Sequence, residues 1–228
     1  MHPVVAALVA YALGSIPAAY LAGKAKGIDL RTQGSGNLGA TNVVRVLGVW
    51  IGLGVFAVDM AKGALAVALL PRYTATTIDP SWLMFLYGAA AILGHARPVW
   101  LGFSKGGKGV ATACGVFLAI TFVPALCALA VFGTALIASG YVSLGSMAGA
   151  GSLPVIVAAA QGVRTPVFGA SVLIAVFVFW THRPNIARLR RGEEHHFSKL
   201  GSVGIAGSSA LAAAVMLLAA WWTHRGAP

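Results

Sequence analysis

The chain has 228 residues, of which 58% are apolar and only 9% charged, with a formal net charge of +11. A soluble domain carries about 25% charged residues, so the five acidic side chains here cannot cover a soluble surface, and the apolar content excludes disorder. What is left is an all-α polytopic membrane protein, since helices satisfy their own backbone groups in lipid.

At roughly 20 residues per span, the length allows seven or eight helices. The apolar stretches run over 3–22, 46–70, 81–95, 109–123, 124–139, 141–160, 166–180 and 201–223. The first has no basic region ahead of it and no cleavage site after it, so it is expected as a retained span rather than a signal peptide. Small residues inside the stretches, such as Gly52, Gly54 and Ala158 to Ala160, are expected as close-packing surface. Cys114 and Cys127 lie inside apolar runs and are expected to pack rather than to pair or bind metal. There is no internal repeat. Residues 1–200 are expected as one membrane domain, and 201–228 as an additional span with a short tail.

The stretch 109–139 divides into one span or two, and charge arbitrates. Lys24, Lys26, Arg31 and Arg45 lie in the first basic segment, Arg97, Lys105 and Lys108 in the second, and Arg183, Arg188, Arg190, Arg191 and Lys199 in the third. These segments hold 12 of the 16 lysines and arginines. With a break near Pro124 all three fall on one face, which the positive-inside rule makes cytoplasmic. The N-terminus is then outside. Basic residues confined to such loops orient spans and do not indicate nucleic acid.

Each basic segment carries more than charge. The first contains Gly34-Ser35-Gly36-Asn37-Leu38-Gly39-Ala40-Thr41-Asn42 before Arg45, a glycine-rich loop of neutral donors followed by a guanidinium that grips phosphate bidentately. The second runs from Gly94-His95 to Lys105-Gly106-Gly107-Lys108-Gly109-Val110-Ala111-Thr112. It resembles a nucleotide P-loop but has Gly109 where that motif needs Ser or Thr, and it follows a span rather than a strand. Glycines and lysines at a helix start still make a phosphate cradle. The third places His182, Asn185 and Arg188 at i, i+3 and i+6, neighbours along one helical face. Ser143 and Ser146 are expected at the same membrane face as further contacts, and Asp59 and Lys62 as an intramembrane ion pair. His195 and His196 lack further ligand-like neighbours, so no metal site is expected there.

These residues carry a family resemblance. Gly34 to Arg45 (GSGNLGATNVVR), Gly94 to Thr112 (GHARPVWLGFSKGGKGVAT) and His182 to Glu193 (HRPNIARLRRGE) resemble the bacterial acyl-phosphate-dependent glycerol-3-phosphate acyltransferases, the PlsY family; Asp59 to Gly63 and Tyr141 to Ser143 match weaker signatures. The resemblance implies a seven-helix bundle with the N-terminus outside, here with an eighth C-terminal helix, in a bacterial inner membrane with its site on the cytoplasmic face. It implies transfer of a fatty acyl group from acyl phosphate to the 1-hydroxyl of glycerol 3-phosphate. The products are lysophosphatidic acid and phosphate, the first step of phospholipid synthesis. No cofactor or metal is implied, and a soluble enzyme making acyl phosphate is the implied supplier of the donor. Ser104 stands as an insertion between Phe103 and Lys105 relative to the family pattern.

No Ser-His-Asp set and no H-x-x-x-x-D pair occurs, so direct transfer by positioning and electrostatics is expected. Acyl phosphate is assigned to Ser35, Gly36, Asn37, Gly106, Gly107, Gly109 and Thr112. Glycerol 3-phosphate is assigned to Arg45, Lys108, Ser143, Ser146, His182, Asn185 and Arg188. His182, Lys108, Arg45 and Asn185 form the catalytic set, with either His182 or the departing phosphate as proton acceptor, and His95 is given a structural part. The competing class is a transporter of organic phosphates, which calls for repeated halves and midplane charges.

Overall fold

The computed structural model describes residues 1–197; the span expected at 201–223 lies outside the described residues. All regular elements among them are helical, and they group into two compact units that meet in sequence at Ile120 and Thr121.

In the first unit, α1 (Pro3–Gly14) and α2 (Ala18–Ala25) are separated by a break at Ser15 to Pro17, where proline lacks the N–H a continuous helix needs. The short α3 (Ala40–Leu47) follows the glycine-rich loop, and α4 (Val49–Leu69) is the long central helix. The expected single stretch at 46–70 is therefore interrupted. Gly48, at φ +94°, turns the chain between Leu47 and Val49, a conformation that a β-carbon resists. After α5 (Pro80–Ala96) and a single 3-10 turn (Val99–Leu101), the second basic loop leads into α6 (Val110–Ile120).

Where these helices cross, small residues let backbones touch. A Cβ on Gly63 would strike the Thr112 carbonyl, and one on Gly115 the Met60 carbonyl. Gly14 packs on the Ala91 backbone and Gly52 on Val44, whereas Gly54, expected as packing surface, stands exposed in open space. Ala6, Ala10, Ala66, Leu83, Tyr87 and Ala91 form one buried cluster, and Ala19, Leu30, Leu38, Val43 and Val55 a second beneath the glycine-rich loop.

The second unit contains α7 (Phe122–Ser139), α8 (Val142–Gln161), α9 (Pro166–Thr181) and α10 (Arg183–Arg191). The helix break expected near Pro124 falls at Thr121. Pro124 then occupies the first turn of α7, where its missing N–H removes no hydrogen bond. Thr121 is buried and accepts from Gln161 Nε2 at 2.9 Å. Gly145 and Gly149 of α8 pack against the carbonyls of Phe132 and Ala128 on α7. Between α9 and α10 the axis bends by 53° at His182.

Among the described residues, four helical segments are long and apolar enough to cross a membrane: Pro3–Ala25, Val49–Tyr73, Phe122–Ser139 and Val142–Gln161. The bent pair α9 and α10 makes a fifth if counted as one span. The described residues are those of an integral membrane protein whose regular elements are all helices.

Candidate functional site

The first unit brings two of the three basic segments together. In the glycine-rich loop, Gly34 and Gly36 have φ near +59° and +67°, so glycine is needed at both. The loop is organised from below by Asn42, a buried side chain in the first turn of α3. Its amide nitrogen donates to the Leu30 and Gln33 carbonyls at 3.2 and 3.1 Å. Its oxygen accepts from the Ser35 N–H at 2.8 Å and the Ser35 hydroxyl at 3.1 Å. Both Ser35 donors thus fix the loop itself. The organising part of Asn42 is not expected from the motif; its sequence clue is an asparagine just inside a helix start. Arg45 sits in the last turn of α3 with its stem against Gly34, not at the start of the following span.

Asn37 closes the gap to the second loop, its amide donating to the Gly106 carbonyl at 3.2 Å. The Gly106 N–H donates to the Ala96 carbonyl at 3.0 Å and the Gly107 N–H to the His95 carbonyl at 3.2 Å. The expected role of these glycines as N–H donors is therefore corrected: both N–H groups are spent inside the fold. What the glycines supply is room, since a Cβ at either position would strike His95. Lys108 beyond them is half-buried, whereas Lys105 is exposed. Gly109 and Thr112 are buried, and the Thr112 hydroxyl has no hydrogen-bond partner among the described residues.

Just before Ser104 the chain passes through two consecutive left-handed residues, Gly102 (φ +61°) and Phe103 (φ +58°). Phe103 is the one non-glycine residue in that region among the described residues, a strained conformation. Its exposed ring leans on Tyr11.

Beneath the loop lie three buried titratable side chains. Lys62 Nζ and Asp59 form the expected ion pair at 2.8 Å, with both side chains nearly inaccessible. Lys62 also donates to the Ile16 carbonyl at 2.9 Å. His95 Nδ1 stands 3.4 Å from the same Asp59 oxygen. On the loop's outer side, Arg31 and Asp29 pair at 2.8 Å, and that pairing holds the exposed Asp29 carboxyl down at about 2.

The second unit gathers the remaining candidates. His182 is buried at the junction of α9 and α10, with Nδ1 2.8 Å from the Val178 carbonyl. A carbonyl only accepts, so in the neutral ring Nδ1 carries the hydrogen and the basic lone pair is on Nε2. Asn185 and Arg188 of α10 both meet Glu194, on opposite carboxylate oxygens, at 2.6 and 2.7 Å. Burial pushes the Glu194 carboxyl up, but the Asn185 and Arg188 hydrogen bonds outweigh it, and the group lies below its ordinary range. Ser146 donates to the Val142 carbonyl of its own helix at 2.8 Å. The Ser143 hydroxyl is buried and makes no well-formed hydrogen bond among the described residues, although it lies near enough to Glu194 to favour its charge. Glu194 is the residue sequence reasoning passed over. His196 packs edge-on against Tyr141 at 5.1 Å.

The family model for glycerol-3-phosphate acyltransferase matches residues 4–192. A glycerol-3-phosphate acyltransferase of Geobacter sulfurreducens is 43% identical over 198 residues, covering 86% of this chain and 98% of its own. One of Synechococcus elongatus is 45% identical over 194 residues, covering 82% and 91%. Among solved structures, the glycerol 3-phosphate form of PlsY, described as an integral membrane glycerol 3-phosphate acyltransferase, superposes with a TM-score of 0.80 at 37% identity, covering 88% of this chain and 98% of that one. Its lysophosphatidic acid form gives 0.76 at 36% identity, covering 85% and 94%.

Proposed function

The chain belongs to the glycerol-3-phosphate acyltransferase family, and from that premise we propose that it acylates the 1-hydroxyl of glycerol 3-phosphate with acyl phosphate as donor. The observation that carries this reading is the Asn37 to Gly106 hydrogen bond. It joins two glycine-rich, basic loops into one surface within the first unit, suited to a phosphorylated substrate. Three basic segments on one face, by the positive-inside rule, support a cytoplasmic site in a bacterial inner membrane, a seven-span core and an outside N-terminus.

In the reaction, the glycerol 3-phosphate oxygen attacks the acyl carbonyl carbon and forms the ester. The carbon–oxygen bond to phosphate breaks, phosphate leaves with that electron pair, and the hydroxyl proton passes to His182 Nε2. Acyl phosphate is already activated, so orientation and charge compensation supply most of the acceleration. Ser35 to Asn37 and Gly106 to Thr112 shape the acyl-phosphate site. Arg45 and Lys108 bind the phosphate of glycerol 3-phosphate, which Ser143, Ser146, Asn185 and Arg188 are assigned to hold as well. No metal or cofactor enters the scheme, and a soluble acyl-phosphate-forming enzyme supplies the donor.

The test offers the purified protein glycerol 3-phosphate with palmitoyl phosphate or with palmitoyl-CoA. Lysophosphatidic acid and inorganic phosphate are expected from the first donor. Turnover with the CoA ester alone would overturn the donor assignment.

A further inference from the structure

The buried trio Lys62, Asp59 and His95 has no part in the chemistry above, yet it lies directly against the second loop. Two charges and an imidazole inside a membrane protein are costly to keep. Their contacts form a closed circuit. Lys62 binds Asp59 at 2.8 Å and the Ile16 carbonyl, at the α1–α2 break, at 2.9 Å. Asp59 faces His95 Nδ1 at 3.4 Å. The opposite edge of the His95 ring fills the place a Cβ on Gly107 would take, and the His95 carbonyl accepts the Gly107 N–H at 3.2 Å. Lys108 follows, α6 begins two residues later, and Thr112 on that helix packs its carbonyl against Gly63, the neighbour of Lys62.

We propose that His95, anchored by the Asp59–Lys62 pair, is a positioning residue that fixes the floor of the Gly106–Gly107 loop and thereby the place of Lys108. His95 Nδ1 faces a carboxylate oxygen that Lys62 also pairs at 2.8 Å, and this approach on one edge of the ring sets its orientation. The Gly106 peptide is gripped from both sides, by Asn37 at its carbonyl and by Ala96 at its N–H. Gly107 is glycine because the ring occupies its side-chain space. This inference rests on the acyltransferase reading, in which Lys108 holds the phosphate of glycerol 3-phosphate.

The experiment is a double-mutant cycle on the full-length purified enzyme, assayed with palmitoyl phosphate and glycerol 3-phosphate. Gly107→Ala puts a methyl into the ring. His95→Asn keeps a donor where Nδ1 was and vacates the far edge. In the wild-type background Gly107→Ala should raise KM for glycerol 3-phosphate at least about tenfold. In the His95→Asn background the same change should cost less than about threefold, the non-additivity expected of residues in contact. A variant that merely misfolded would lower the active fraction, and so kcat, with KM unmoved. An equal KM penalty in both backgrounds would overturn the proposal. A wild-type enzyme with no turnover would instead refute the acyltransferase reading, so the two failures are distinguishable. The neutral pair Asp59→Asn with Lys62→Met removes the anchor without leaving a lone buried charge. It should raise the same KM several-fold, and an unchanged KM would overturn the part given to the ion pair. The Gly107 cycle decides the role of His95 even if that pair does not fold.

Discussion

Asn185 and Arg188, three residues apart on α10, are held by opposite oxygens of one carboxylate, that of Glu194, at 2.6 and 2.7 Å. The Glu194 side chain is 6% exposed and Arg188 32%, so this is a partly shielded pair rather than a solvated one. It fixes two side chains assigned to the substrate before any substrate arrives.

Glu194→Gln should therefore destabilise the protein by about 1–2 kcal/mol, the scale of a charge-assisted hydrogen bond discounted for partial exposure. The amide keeps one acceptor but sets an N–H2 against a donor. The pH dependence has a definite sign. The folded carboxyl titrates below its ordinary value of 4.5, so its stabilisation is complete above that value and is lost as pH falls through the lowered one. Thermal melts of wild type and variant in detergent should differ most at neutral pH and converge in acid. Parallel curves down to strong acid would contradict the Glu194 geometry.

The two lysines of the second loop should behave differently. Lys108 is half-buried and Lys105 exposed. Lys108→Ala should lower kcat/KM about 10- to 150-fold, the value of a charged contact of roughly 1.5–3 kcal/mol. Lys105→Ala, and the exposed Lys24→Ala as control, should each stay within about threefold, as surface charges usually do. Steady-state kinetics on both substrates checks this. A matching loss at Lys24 would mean that membrane insertion, not chemistry, is being measured.

Arg45→Lys should also impair turnover, because an ammonium cannot reproduce the two-pronged grip of a guanidinium on phosphate. KM for glycerol 3-phosphate is the parameter expected to rise. Kinetics indistinguishable from wild type would remove Arg45 from the phosphate site.

His182→Gln preserves a donor toward the Val178 carbonyl but has no basic nitrogen. General-base help is worth about 10²–10⁴-fold, so kcat should fall by at least about a hundredfold, with the acidic limb of its pH profile flattened. A near-wild-type kcat across pH would assign the proton to the departing phosphate instead.

Much of this architecture follows from pattern. The helix break before Pro124, the Asp59–Lys62 pair and the union of the first two basic loops all rest on local signals of proline, spacing and glycine. The interruption at Gly48 was hidden, because the apolar run continues on both sides of it and only the +94° φ shows the turn. Glu194 was hidden for a different reason. An acid after four arginines looks like a solvated charge until the chain turns back at Gly192, with φ +69°, and points it at α10. The link from Asp59 to His95 joins two different helices, α4 and α5, and spacing along one helix carries no information about it. The use of Gly106 and Gly107 is not legible, since sequence says neither which carbonyls their N–H groups meet nor that the His95 ring fills the space beside Gly107.

The 53° bend at His182 has a mechanical consequence. At 1.5 Å per residue, the nine residues of α10 extend about 13 Å. At that angle they advance only about 8 Å along the direction of α9 and spread about 11 Å sideways. Four arginines ride on this lateral arm, Arg183, Arg188, Arg190 and Arg191. Drawing α9 further into the hydrocarbon would drag their guanidinium groups after it, at a cost of several kcal/mol each. Drawing it outward would expose the apolar residues of α9 to water. The bend thus couples any shift of α9 along its own axis to the four guanidinium groups on the sideways arm, which oppose movement of the His182 imidazole with it.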